Sequence, residues 1–180
     1  MAAAPALAQT VDAPVVVPGD RWVYQSGIGK QSLTVTRVEA DGTIVAEIDT
    51  PSLGGIEIRF AKGWNPMVQP QAIAGRTIFF HYDPPVCVMP PAPWSVGQEW
   101  SCQSKYDFNN NVGTVAVSGK IEAMEKVTVP AGSFDALRVK ETVGGVPTVT
   151  WYAPAARQFV KIDAGANSPY SMELTSYTLK

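Results

Sequence analysis

The strongest constraint in this chain is a two-residue periodicity, broken at short intervals by proline and glycine. It is clearest in Lys126-Val127-Thr128-Val129-Pro130-Ala131-Gly132-Ser133-Phe134-Asp135-Ala136-Leu137-Arg138-Val139. Val127 and Val129 alternate with Thr128 before the break, and Leu137 and Val139 alternate with Ala136 and Arg138 after it. Period two sends successive side chains to opposite faces of a strand, so such a stretch buries one face and wets the other. Pro130 lacks an N–H and belongs where a strand leaves its ladder. Gly132 can take a positive φ at no steric cost. The pattern predicts an antiparallel hairpin, a structural element with no chemistry of its own.

The same pattern recurs along the chain. Asp20–Tyr24, Leu33–Val38, Ile44–Ile48 and Ile56–Phe60 read as strands, with Asp41-Gly42 and Gly54-Gly55 as turns. Residues 63–75, with Pro66, Pro70 and two glycines, read as a loop, and Ile78–Tyr82 as a short strand. Residues 83–95 hold five prolines and read as a stiff connector, partly polyproline II in character. Residues 115–129 are too long for one regular strand, so a bend or bulge is expected at Gly119 or Glu125. Phe134–Thr142, Val149–Tyr152, Phe159–Ile162 and Tyr170–Leu179 complete about ten strand candidates without helical periodicity. Pro18-Gly19-Asp20-Arg21-Trp22 and Val96-Gly97-Gln98-Glu99-Trp100 share Gly and Trp at matching places, which reads as an internal repeat. The expected fold is all-β, an antiparallel β-sandwich or open (half) barrel built from two similar β units. The first unit is 15–82, and 96–180 is the second, packed with the first as one domain.

Residues 1–14 read as a signal-peptide remnant and disordered N-terminus. Ala6-Leu7-Ala8 fits the small-x-small pattern before a cleavage site, with an added Met1; an Ala-rich tail is the other reading. The address expected is export, to the periplasm, the outer membrane or beyond. Of the two cysteines, Cys87 and Cys102, the simplest reading in an exported protein is a disulfide, and the alternative is two separate buried thiols. A net charge of −2 with interspersed signs offers no phosphate-neutralising stripe, so no nucleic-acid partner is expected. No apolar run reaches the length of a transmembrane segment.

Few residues carry chemistry. His81 is the only histidine, so a triad or a histidine-ligated metal site of the common kinds lacks its parts. Asp107–Gly113 has alternating oxygen ligands but its glycine falls one place late for a calcium loop, and position twelve is Ser118. Gly27-Ile28-Gly29-Lys30 lacks P-loop spacing. Asp49, Glu57, Asp107 and Glu122 are scattered carboxylates among which a hydrolytic pair could hide. No catalytic residues, metal or cofactors are expected.

Glu125–Val139, followed by Trp151-Tyr152-Ala153-Pro154 and Phe159-Val160-Lys161, resembles an uncharacterised family of exported bacterial proteins, domains of unknown function sometimes called TapB-like. The family's Val-Gly-x-x-Trp strand start is matched by Val96-Gly97-Gln98-Glu99-Trp100. The resemblance covers 96–180 well and 18–60 loosely, and departs at Ala155-Ala156-Arg157. It implies an envelope or secreted β protein and no catalytic residues. The leading expectation is therefore a non-enzymatic exported protein with an unknown envelope partner. A second is a periplasmic carrier of an apolar, lipid-like ligand, with Trp22, Phe60, Trp100, Phe134 and Trp151 as candidate ligand-facing aromatics. A third is a hydrolase acting on an envelope polymer.

Overall fold

The computed structural model describes residues 10–73, 75–166 and 168–180; the expected signal-peptide cleavage site lies outside them. The strands are β1 (Arg21–Ser26), β2 (Gly29–Val38), β3 (Ile44–Thr50), β4 (Gly54–Ala61), β5 (Asn65–Ile73), β6 (Arg76–Asp83), β7 (Glu99–Phe108), β8 (Asn111–Val129), β9 (Gly132–Val143), β10 (Val146–Ala153), β11 (Gln158–Asp163) and β12 (Met172–Thr178). A 3₁₀ turn, Pro154–Ala156, joins β10 to β11. Each strand pairs antiparallel with the next, and β1 also pairs with β12 from Arg21↔Thr178 to Ser26↔Met172. The sheet is thus a closed barrel, not the expected sandwich or open half barrel. Closure removes the free edges that a first and a last strand would expose.

Period-two patterning sets inside from outside. On β7, Glu99, Ser101, Gln103, Lys105 and Asp107 are exposed, while Trp100, Cys102, Ser104, Tyr106 and Phe108 turn inward. Polar residues outside and apolar ones inside is the reverse of a membrane-spanning barrel, and no helix among the described residues is long and apolar enough to cross a membrane. The interior is filled by Trp22, Trp94, Met89, Ile121, Leu137, Val160 and Leu174, all fully buried.

The proline-rich segment is part of that filling, not a spacer between units. Met89 is clamped by Asn65, whose side chain accepts from its N–H (2.8 Å) and donates to its carbonyl (3.0 Å). Trp100 Nε1 donates to the Cys87 carbonyl at 2.7 Å, and Ser104 Oγ to Pro85 at 3.2 Å. Trp94 packs edge-on against Tyr152 and exchanges backbone bonds with Val11. The fold therefore begins before residue 15, because Val11 and Trp94 form a two-residue bridge. Cys87 and Cys102 form a disulfide that fastens the same segment to β7.

Two local readings change. Residues 63–75 contain a strand, β5, despite Pro66 and Pro70. β5 pairs with β4 only from Asn65 to Val68, so Pro70 has no β4 neighbour that needs its N–H. The bulge in the nineteen-residue β8 falls between Ile121 and Ala123, not at Gly119 or Glu125. Gly119 instead accommodates a neighbour: a Cβ there would collide with the Trp100 ring on the paired residue of β7.

The two Gly-x-x-Trp segments share one geometry. Gly19 and Gly97 have φ of 93° and 90°. Gly19 N–H bonds Val35 O and Val35 N–H bonds Asp20 O; Gly97 N–H bonds Ile121 O and Ile121 N–H bonds Gln98 O. The side chains of Asp20 and Gln98 accept from the N–H three residues upstream, at Val17 and Ser95. Each strand so contacted then carries a bulge, between Val35 and Arg37 and between Ile121 and Ala123.

One buried acid stands apart. Glu141 on β9 is 6 % exposed and its Oε2 has no hydrogen-bond partner; Thr150 Oγ1, two strand positions off on β10, is also unpartnered. Burial pushes the Glu141 carboxyl up from 4.5 to about 8.

Two stability predictions follow from this packing. Cys87→Ala/Cys102→Ala should lower unfolding free energy by about 3 kcal/mol, the chain-entropy cost of freeing a loop of this length, read from urea denaturation of both proteins. Glu141 stays protonated in the folded chain up to about pH 8 but ionises near 4.5 once unfolded. Its contribution is therefore complete below about 4.5 and is lost as pH rises towards 8, with a limiting slope of about 1.4 kcal/mol per unit. Glu141→Gln should flatten that decline in unfolding free energy between pH 5 and 9; an unchanged slope would contradict the assignment.

Candidate functional site

A groove of about 830 Å³ opens at the barrel end that carries the Pro130-Ala131 turn. That is within the size range of ligand sites. Its walls come from three places: the 10–17 segment, the end of the β8–β9 hairpin, and the β10–β11 connection. Val11, Val15, Val17, Met124, Phe134 and Tyr152 supply apolar surface, and Asp12, Ser133, Asp135, Arg157 and Lys180 polar surface. Val15 is 77 % exposed, an unusual position for a valine.

The groove floor is organised by Asp20, which is fully buried. Its Oδ2 accepts from Val17 N–H and from Arg157 Nη1, both at 3.1 Å, and its Oδ1 accepts from Lys180 N–H at 2.8 Å. Three chain segments distant in sequence converge on this carboxylate. Arg157 reaches it because β10 ends at Pro154, the 3₁₀ turn follows, and Arg157 takes a left-handed φ of 54°. Burial raises the Tyr152 phenol, and the nearby Arg157 charge opposes that rise in part; the phenol is neutral.

Ser133 and Asp135 are also engaged. Ser133 Oγ lies 2.8 Å from Thr128 Oγ1, and Asp135 lies 3.5 Å from Lys126. Among the described residues Ser133 Oγ has no imidazole or carboxylate bonded to it.

The five candidate aromatics are not gathered on one concave face. Trp22 is sealed in the core, donating Nε1 to Ala156 O at 2.7 Å and meeting Trp64 edge-on. Phe60 packs against Trp64, and Trp100 against Gly119 and the proline segment. Trp151 lies on the outer wall, with Arg138 and Lys161 over its ring and Glu125 accepting its Nε1. Phe134 alone of the five lines the groove.

The scattered carboxylates also stay apart. Glu57 pairs with Arg37 and Arg59, and Glu122 with Arg138, on the outer wall. Asp49 and Asp107 are exposed, as is His81, which sits opposite Asp107 on β6. The Asn109-Asn110 turn takes φ of 48° and 65°, the left-handed geometry asparagine tolerates.

Asp20 and Arg157 were not singled out by sequence reasoning. A signal existed for the first: Asp20 occupies the place of Gln98 in the matched turn, where a side-chain acceptor is needed. Arg157 offered none, since its partner lies 137 residues away. Asp20→Ala, which strands two backbone donors and a guanidinium, should cost about 3–5 kcal/mol. Arg157→Ala leaves the buried Asp20 carboxylate without its counter-charge and should also be strongly destabilising, by about 3 kcal/mol. Chemical denaturation of both variants checks this; a negligible loss from either would contradict the role given to the buried carboxylate.

No family model matches the chain, and no curated protein sequence matches it. Among solved structures it is similar to a protein of Parabacteroides distasonis described as a "putative lipoprotein", with a TM-score of 0.51 and 14 % identity over 94 % of this chain and 100 % of that one. At that identity the likeness is one of fold.

Proposed function

We propose that this chain is an exported envelope protein that works by binding, not catalysis, through the groove at the Pro130-Ala131 end of the barrel. The observation that carries the reading is the groove itself: a site-sized, partly apolar concavity whose charged groups Arg157 and Asp135 are already paired within the protein. The Cys87–Cys102 disulfide fits an oxidising compartment. The signal-like Ala6-Leu7-Ala8, the resemblance to the TapB-like exported family, and the lipoprotein description of the structural neighbour support the address.

A carrier of a wholly apolar ligand is the weaker reading. The barrel axis is occupied by Trp22, Met89 and Trp94. A lipid would have to lie in the end groove, beside Asp12, Asp135 and Lys180. Nothing favours a hydrolase, since its candidate carboxylates face outward.

A photocrosslinking residue at Val15, in the groove, should give specific adducts in the envelope fraction of the native host. The same residue at Ser118, on the outer wall, should not. Identical adducts from both positions, or adducts confined to the cytoplasm, would contradict the proposal.

A further inference from the structure

We infer that the groove takes an extended polypeptide segment as an added strand on a free edge of β9, an inference that rests on the groove being the binding site. β10 pairs with β9 from Val146↔Val143 to Tyr152↔Leu137 and then leaves the sheet at Pro154. β9 continues to Gly132, paired over that last part with β8 alone. In an antiparallel ladder, alternate residues turn their N–H and C=O towards the same neighbour. Tyr152↔Leu137 lies on the β10 side, so Asp135 and Ser133, two and four residues back, aim their backbone groups where β10 would have run.

Both residues line the groove, and outside the β8–β9 ladder neither makes a further backbone–backbone hydrogen bond among the described residues. The edge thus presents two donors and two acceptors, repeating at about 7 Å. Extended backbone is the chemistry that matches that repeat. Val15 and Val17 line the groove with this edge, and Pro154 and Ala155 mark where β10 left it. An added chain would run in line with β10 and antiparallel to β9.

The test uses short random peptides displayed on phage and selected on the full chain, with affinities then measured for wild type, Asp135→Pro, Asp135→Ala and Val15→Asp. The Asp135 N–H faces away from β8, so proline there spares the β8–β9 ladder. The expected result is a loss of about tenfold or more with Asp135→Pro and little change with Asp135→Ala. Peptides N-methylated at alternate amides should fail in one register and bind in the other, a readout that does not depend on any variant folding. If both registers behave alike, or Asp135→Pro binds as tightly as wild type while Val15→Asp abolishes binding, strand addition is wrong and the groove reading survives. If every selected peptide is indifferent to Val15→Asp as well, both are wrong.

Discussion

The carboxylate of Asp20 is the contact on which the rest of this barrel end depends. A fully buried aspartate is costly unless its oxygens are satisfied. Here they are met by Val17 N–H from the lead-in segment, Lys180 N–H at the C-terminus and Arg157 from the β10–β11 connection. The cost of desolvation thereby becomes a positional constraint, because none of the three segments can move without exposing or orphaning the charge. The next residue, Arg21, opens the β1–β12 pairing that closes the sheet. Asp20 therefore fixes the first and last strands in register before their ladder begins.

Closure alone would leave a barrel of twelve strands to be filled. The chain fills it with its least regular segment. Val86, Met89 and Trp94 do the filling, while of the five prolines only Pro90 is buried. Polar groups there are met individually, at Met89 by Asn65, at Cys87 by Trp100 and at Pro85 by Ser104. Cys87–Cys102 adds a covalent tie to the same inner wall. What composition marks as a linker is thus core, and it displaces the interior volume that a ligand carrier would need.

Local chemistry was legible in the sequence and long-range pairing was not. The Pro130-Ala131 hairpin, the Asn109-Asn110 turn and the cysteine pair follow from residue properties that act over a few positions or from compartment. The matched Gly19 and Gly97 turns were visible as Gly-x-x-Trp, and they share the same hydrogen bonds and a following bulge. Closure was hidden, since Arg21↔Thr178 joins the two ends of the fold and period two is satisfied equally by sandwich and barrel. β5 was hidden because Pro66 and Pro70 argue against a strand until its partial pairing with β4 is known. The aromatics misled for a related reason. Alternation shows that Trp22 and Trp151 each face one side of a strand, but not which side is the core.

The groove arises from the same device that secures Asp20. Pro154 ends β10, and the turn that follows carries Arg157 back to the buried carboxylate. That departure also strips β9 of its neighbour beyond Leu137, leaving Ser133 and Asp135 on an uncovered edge. The two motifs that are separate in sequence, Val-Pro-Ala-Gly-Ser-Phe-Asp and Trp-Tyr-Ala-Pro, therefore meet in space: Glu125 accepts from Trp151, Tyr152 pairs with Leu137, and Pro154 faces Ser133 to Asp135 across the groove. A longer β10 would have covered the edge and left Arg157 without its approach to Asp20. The proline at the strand's end thus couples the securing of Asp20 to the opening of this edge of β9.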